Sequence, residues 1–216
     1  MNGAANGTVK SAARRSSATI VAFDGLVADT LSARALAVAE SVSAEIAPCS
    51  IVEALSLVRG RSLDEAIEHA LRSRCGSPDL EFDATVRDLA VLRARRSFTA
   101  MVSQGLPLRD EAAAWLAARA ATHGRVVLRA ESARRDVDRL IQFTGLADVV
   151  AFIRCSDDLP RAAGASSTEN SWSAIASRLA AQRVPLDECT AFEYSDLSAS
   201  VARAYLPDVW VLAALA

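Results

Sequence analysis

Two hydrophobic patterns divide this chain, short continuous apolar runs and longer stretches with helical spacing. The first run, residues 18–23, is largely apolar and partly β-branched, and it stops at Asp24-Gly25. This pattern predicts a buried strand that ends in a tight turn. Asp24 is therefore expected at the carboxyl end of the first strand of an open α/β sheet, where such folds place their sites.

Helical spacing then dominates for about seventy residues. Apolar residues recur every three or four positions from Thr30 onward, and Pro48 ends this first helix. Ser62 and Glu65 have the spacing of a capping box, which predicts a helix start there. We expect helices over residues 30–46, 51–58, 63–74 and 82–102.

Apolar runs and helical patterns alternate over the remainder of the chain. We expect strands near residues 126–128, 149–153, 189–192 and 209–212, with helices over about 110–122, from Ser132 to Gly145, 172–181 and 196–204, and a polar loop over 156–170. Such alternation is typical of a Rossmann-like parallel sheet with helices on both faces. We predict an α/β core formed by residues 18–31 and 104–216, an inserted α-helical cap over 32–103, and a disordered tail over 1–17.

Composition excludes several classes of protein. The net charge of −2 across 216 residues gives no electrostatic case for binding nucleic acid. The four cysteines form no C-x-x-C pair and there are two histidines, so a zinc site is not expected. The pattern favours free thiols in a reducing compartment, and we expect a cytoplasmic protein. No apolar run is long enough to span a membrane, and residues 1–17 lack the apolar stretch of a signal peptide.

The stretch after the first strand resembles a known motif. Residues 22–30 are similar to the first motif of the haloacid dehalogenase (HAD) superfamily of phosphatases and phosphomutases, an apolar strand followed by Asp-x-Asp-Gly-x-x-x-Asp-Ser/Thr. Four residues match the motif: Asp24, Gly25, Asp29 and Thr30. Ala22 stands where the family has its nucleophilic aspartate, and alanine has no atom that can attack phosphorus.

The resemblance continues through three further motifs, each of which has lost a chemical group. Ala130 stands where the family has a phosphate-binding Thr or Ser, and Ser166 where it has a Lys. Arg161 in the same loop is a substitute charge to consider. At the last motif Glu193 matches, whereas Tyr194 replaces an aspartate. The family implies Mg²⁺, but one carboxylate is too few, so we expect a lost metal site, with Glu193 as a weak candidate ligand and no cofactor.

Several residues remain candidate contacts for a ligand. Residues 58–62 are similar to the cap loop of β-phosphoglucomutase-like members, and the inserted cap fits that subfamily and the related phosphoglycolate phosphatases. Ser132 would either bind an anion with the following helix N-terminus or simply cap that helix, which is the simpler interpretation. The candidate binding residues are Asp24, Gly25, Arg61, Arg129 and Ser132.

Three hypotheses follow for function. The first is a HAD-fold pseudoenzyme that serves as a binding, regulatory or assembly module, with another protein or a second copy as partner. The second is a divergent phosphatase or phosphomutase on a small phosphorylated metabolite. A two-residue deletion in the alignment would make Asp24 its nucleophile, but would then leave it without the acid. The third is a sensor that binds a sugar phosphate without turnover.

Overall fold

A five-stranded parallel sheet forms the centre of the molecule. The computed structural model describes residues 17–74, 84–142, 144–158 and 164–212. The strands are β1 (Ser17–Ala22), β2 (Gly124–Arg129), β3 (Phe152–Arg154), β4 (Thr190–Glu193) and β5 (Asp208–Val211). Their order is β3-β2-β1-β4-β5, and all pairings are parallel. The Rossmann-like α/β fold predicted from the sequence is confirmed.

Helices cover both faces of the sheet and extend beyond it. They are α1 (Thr30–Glu45), α2 (Ile51–Val58), α3 (Leu63–Arg74), α4 (Ala84–Gln104), α5 (Asp110–His123), α6 (Arg134–Ile141), α7 (Ser167–Ala181) and α8 (Asp196–Ala202). None of the helices in the described ranges is long and apolar enough to cross a membrane.

The central strand β1 is buried on both faces, which explains its continuous apolar run. Val21 faces one hydrophobic core, shared with α1 and the helices that follow it. Ile20 faces a second core on the opposite side, which contains the fully buried Trp172 of α7. Because alternate residues of β1 supply both cores, the strand is fixed in register between β2 and β4.

A helical unit follows β1 directly. Helices α1 to α4 pack chiefly against one another, and α5 returns the chain to β1 and β2. Buried alanines on α1, among them Ala35 and Ala39, let its neighbours approach closely. This is the position expected for the cap, although the boundaries at residues 32 and 103 stay a prediction.

The structure corrects several expected boundaries. Ser17 lies in β1 and not in the tail, and residues 1–16 lie outside the described part of the chain. The helix expected from residue 172 begins at Ser167, because Ser166 caps it with Glu169 in a capping box. The end of the polar loop expected over 156–170 is therefore helical.

A second correction concerns the helix after β2. Ala133 and not Ser132 is its N-cap residue, and the helix ends at Ile141, four residues before Gly145. Gly145 instead adopts a left-handed conformation at the start of a short 3-10 turn, where a residue without Cβ costs least. The strand expected near residues 149–153 is observed as β3, which spans Phe152–Arg154.

Candidate functional site

The carboxyl ends of three adjacent strands carry the residues of interest. Ala22 at the end of β1 is paired in register with Arg129 at the end of β2. Val21 is paired with Phe192 of β4, so Glu193 lies beside Ala22 on its other side. Residues paired in this way point to the same face of a sheet. The side chains of Arg129 and Glu193 therefore flank the small side chain of Ala22.

Arg129 and Glu193 meet across the end of β1. The Nε of Arg129 donates to Oε1 of Glu193 at 2.7 Å, and its Nη2 donates to Oε2 at 2.6 Å. Strands β2 and β4 lie roughly 10 Å apart because β1 separates them. The guanidinium must therefore cross above Ala22, at the level of the end of β1. Any longer side chain at residue 22 would compete with it for this space.

Glu131 is the second acidic partner of Arg129 and the centre of a buried network. Its Oε1 accepts from Nη2 of Arg129 at 2.9 Å, and its Oε2 accepts from Nη1 of Arg34 on α1 at 3.3 Å. The hydroxyl of Tyr194 also donates a short hydrogen bond to Oε2. The side chains of both arginines and of Glu131 are at most 1% exposed. We call Arg34, Arg129, Glu131, Glu193 and Tyr194 the buried charge network.

Asp24 is fixed beside this network by four hydrogen bonds. Its Oδ1 accepts from the hydroxyls of Thr30 at 2.7 Å and Ser132 at 2.5 Å. Its Oδ2 accepts from the backbone N–H groups of Glu131 at 2.7 Å and Ser132 at 3.1 Å. Since a carboxylate offers about four lone-pair sites, Asp24 has no capacity left for a substrate.

The loop after α2 is bonded directly to the network. The N–H of Gly60 donates to the hydroxyl oxygen of Tyr194 at 3.0 Å, and its carbonyl accepts from the Thr168 hydroxyl at 2.9 Å. Nη2 of Arg34 donates to the carbonyl of Arg61 in a short hydrogen bond. A Cβ on Gly60 would lie 2.8 Å from the Ser195 hydroxyl oxygen, so the loop and the core approach each other very closely.

A second set of hydrogen bonds joins the start of α3 to the start of α7. The predicted capping box is present, because the Ser62 N–H donates to Glu65 at 2.9 Å and the Glu65 N–H donates to the Ser62 hydroxyl at 3.3 Å. The same Glu65 carboxylate accepts from the Ser167 N–H at 2.6 Å and from its hydroxyl at 2.5 Å. Glu65 therefore stabilises the start of α3 and also binds the first residue of α7.

Ionisation of these groups is strongly shaped by burial. Burial opposes the charge of Asp24, but the Arg34 guanidinium and the hydroxyls of Ser132 and Thr30 hold its pKa below the ordinary value. Burial raises the pKa of Glu131, and the Asp24 and Glu193 carboxylates add to this effect against the two guanidiniums. A general acid must carry a proton near the working pH, and the lowered pKa of Asp24 is the opposite of that requirement.

The site does not fit a magnesium ion. Both oxygens of Glu193 are taken by Arg129, and Oε2 also accepts from the Ser198 hydroxyl at 2.8 Å. The buried Arg129 guanidinium beside Glu193 repels a cation. In the part of the chain that the structure describes, no cluster of three or more His, Cys, Asp or Glu residues could hold a metal.

The remaining sequence candidates fall outside the network. Gly25 has a φ of +83°, and a Cβ there would lie 3.3 Å from the Tyr194 ring. The Arg61 guanidinium reaches back to the carbonyls of residues 56 and 57, at 3.4 and 3.3 Å. Ser166 caps α7, and Ala130 is buried beyond the end of β2. Arg161 lies outside the described residues.

Ser132 and Arg34 show what sequence reasoning missed. The interpretation of Ser132 as a helix cap was wrong, since its hydroxyl donates to Asp24. Arg34 was not identified at all. It lies three residues after Leu31 and one before Ala35, within the apolar stripe of α1, and it is fully buried. A charged residue inside an apolar stripe was the signal that could have revealed it.

Several solved structures are similar to this chain in fold, and their descriptions include phosphatases and hydrolases. A predicted phosphoglycolate phosphatase from Haemophilus somnus 129pt is 11% identical with a TM-score of 0.69, covering 90% of this chain and 83% of its own. CbbY from Rhodobacter sphaeroides in complex with phosphate is 19% identical with a TM-score of 0.67, covering 91% and 87%. A haloacid dehalogenase-like family hydrolase from Streptococcus pneumoniae is 12% identical with a TM-score of 0.65, covering 87% and 80%.

These likenesses show that this chain shares the fold of those proteins. No model of a protein family and no curated protein matches the sequence.

Proposed function

We propose that this HAD-fold protein is a pseudoenzyme that does not hydrolyse phosphate esters and that acts as a binding, regulatory or assembly module. The observation that carries the proposal is the buried ion pair between Arg129 and Glu193, which crosses the end of β1 above Ala22. That pair occupies the place where the family's chemistry would require a nucleophile and an open approach to it.

The first support is the missing nucleophile. Removing a nucleophile alone typically lowers the rate by on the order of 10⁴–10⁶. Here Asp24 offers no replacement, because four donors already hold its oxygens at 2.5–3.1 Å. Its backbone position also lies past the end of β1, two residues after Ala22.

The second support is the absence of access. Asp24, Arg129, Ser132 and Glu193 are each at most 2% exposed, so a phosphorylated metabolite would have to break the contacts of the Gly60 loop to reach them. The same burial disfavours the sensor hypothesis at this site. An enzyme that used water directly would also need a way for water to enter.

The partner in this proposal is a protein, either another chain or a second copy, with no role for nucleic acid. The proposal also keeps the cytoplasm as the location, because Cys49, Cys155 and Cys189 are free thiols. No magnesium or other cofactor takes part.

The test is a hydrolysis assay on the full chain with and without Mg²⁺. Substrates would be p-nitrophenyl phosphate, 2-phosphoglycolate and a panel of sugar phosphates. We expect the wild type and Asp24→Asn to release phosphate at the same rate as the blank. Metal-dependent hydrolysis by the wild type that Asp24→Asn abolishes would refute the proposal.

Calorimetry separates the pseudoenzyme from the sensor. The same sugar phosphates would be titrated into the wild type and into Arg129→Met. We expect no binding heat with either protein. Saturable binding to the wild type that disappears in Arg129→Met would replace the proposal with the sensor hypothesis.

A further inference from the structure

The carboxylate of Glu131 sits among groups that would otherwise suit a free anion. Two guanidiniums contact it from opposite elements, Arg129 on β2 and Arg34 on α1. The Tyr194 hydroxyl completes the set from the end of β4. Charged, planar donors of this kind are the usual ligands of carboxylates and phosphates.

The donors of this pocket exceed what Glu131 uses. Among the described residues, Nε of Arg34 and Nη1 of Arg129 have no hydrogen-bond partner, although both side chains are fully buried. Buried guanidinium N–H groups are normally satisfied. The two guanidiniums that hold Glu131 therefore keep N–H donors that no side chain in the described part of the chain satisfies.

We propose that Arg34, Arg129 and Tyr194 form an anion site for small carboxylates and that Glu131 fills it as an intramolecular ligand. The proposal deepens the proposed function, since it explains what closes the non-catalytic cleft. It also explains how closure is maintained. Both Arg34 and Tyr194 bond to the loop that contains Gly60 and Arg61, so the ligand at their centre holds that loop on the core.

Replacement of Glu131 by alanine would open the site to a probe of matching size. The substitution removes two carbons and both oxygens, which together have the size of one acetate ion. Arg34 and Arg129 would then face a buried space with their charges less well balanced. Acetate should enter this space and restore the lost contacts.

The experiment measures the thermal unfolding midpoint of Glu131→Ala against sodium acetate at pH 7.5 and constant ionic strength set with chloride. We expect the midpoint to fall on substitution and to rise by roughly 5–10 °C at saturating acetate. The neutral analogue acetamide should give no such rise. Wild type and Glu131→Gln, in which the space stays filled, should not respond to acetate.

Glu53→Ala is the matched control for a generic salt effect. Glu53 closes a capping box with Ser50 and pairs with Arg74, and its side chain is 60% exposed. Removing it leaves no enclosed pocket, so acetate should not change its midpoint. An equal response to acetate in Glu53→Ala and Glu131→Ala would overturn the proposal, as would a response of Glu131→Ala to acetamide equal to that to acetate.

A second measurement applies even if Glu131→Ala does not fold. Amide hydrogen exchange at Gly60 and Arg61 would be compared between the wild type and the isosteric Glu131→Gln. We expect faster exchange at the loop in Glu131→Gln and unchanged exchange in α7. Unchanged exchange at the loop would refute the role of Glu131 in closure. Hydrolysis by the wild type would refute the proposed function but would not affect either of these results.

Discussion

Replacement of Arg129 by methionine tests the buried charge network most directly. The substitution keeps most of the side-chain volume and removes three charged hydrogen bonds, two to Glu193 and one to Glu131. Glu193 would then keep the Ser198 hydroxyl as a donor, and Glu131 would keep Arg34 and Tyr194. A carboxylate that loses its counterion inside the protein carries an uncompensated desolvation cost.

The expected magnitude follows from burial. Both side chains of the Arg129–Glu193 pair are at most 1% exposed, and breaking such a pair from one side costs about 3–5 kcal/mol. For a chain of this size each kcal/mol corresponds to about 2–4 °C. The unfolding midpoint of Arg129→Met should therefore fall by roughly 6–20 °C.

Arg95→Met is the matched control, because the Arg95–Asp64 ion pair has a hydrogen-bond geometry similar to that of Arg129–Glu193 but is exposed. Arg95 also donates through Nε and Nη2 to one carboxylate, that of Asp64, at 2.9 and 2.5 Å. Its side chain is 60% exposed and that of Asp64 is 34% exposed. Exposed pairs contribute about 0–1 kcal/mol. Arg95→Met should thus shift the midpoint by no more than about 4 °C.

Thermal unfolding followed by circular dichroism measures the midpoints, and urea denaturation gives the free energies, with the slope of the free energy against urea as a check on two-state behaviour. Methionine at both Arg129 and Glu193 should recover much of the stability lost in Arg129→Met, since no unpaired Glu193 charge remains. Equal losses of free energy in Arg129→Met and Arg95→Met would show that the network is not buried and paired as described.

Three further substitutions, with Gly145→Ala as a control for the first, examine the closure of the loop. Gly60→Ala should lower the free energy of unfolding by roughly 2–4 kcal/mol, because it adds a Cβ contact at 2.8 Å to the strain of a φ near +70°. Gly145→Ala has a similar φ and nothing within 4 Å of its Cβ, so only the backbone strain should destabilise it, by about 1–2 kcal/mol. Urea denaturation would compare them. Burial of Glu65 opposes its ionisation, yet hydrogen bonds from Ser167 hold its pKa below the ordinary value of 4.5. The ionised Glu65 carboxylate therefore stabilises the folded protein above that pH, and this contribution is lost as the pH falls below it. Glu65→Gln should be less stable at pH 7 and show a shallower loss below pH 4.5, and parallel pH profiles would contradict this. Tyr194→Phe leaves the Gly60 N–H without its acceptor and should cost about 1–3 kcal/mol, with faster amide exchange at Gly60 as the specific readout.

Local patterns explain why much of the fold could be predicted. The capping box of Ser62 and Glu65 set the start of α3, and the predicted span of residues 63–74 is the observed one. Helix α2 likewise begins where expected, because Ser50 and Glu53 form a capping box. Strand positions were less accurate, since short apolar runs mark a buried strand without marking its ends.

The site was harder to predict because its contacts connect distant parts of the chain. Ser132 reads as a helix cap locally, yet its partner Asp24 lies 108 residues away. Tyr194 and Gly60 are separated by 134 residues, and no pattern within either segment indicates their hydrogen bond. The substitution at Ala22 was visible in the sequence. The position of Arg129 above Ala22 could not be predicted, because it depends on the register of β1, β2 and β4.

The side chains at the site depend on one another, which determines what a single substitution at residue 22 would do. An aspartate at residue 22 would meet the Arg129 guanidinium and place its carboxylate beside Glu193, because all three residues share one level of the sheet. It would pair with Arg129 or repel Glu193, and in neither case would its oxygens be free to attack phosphorus. Arg129 can cross the end of β1 because residue 22 is small, and Glu193 can be buried without a metal because Arg129 supplies the positive charge. These side chains therefore depend on one another, so an aspartate placed at residue 22 alone would enter a space that the ion pair of Arg129 and Glu193 already occupies.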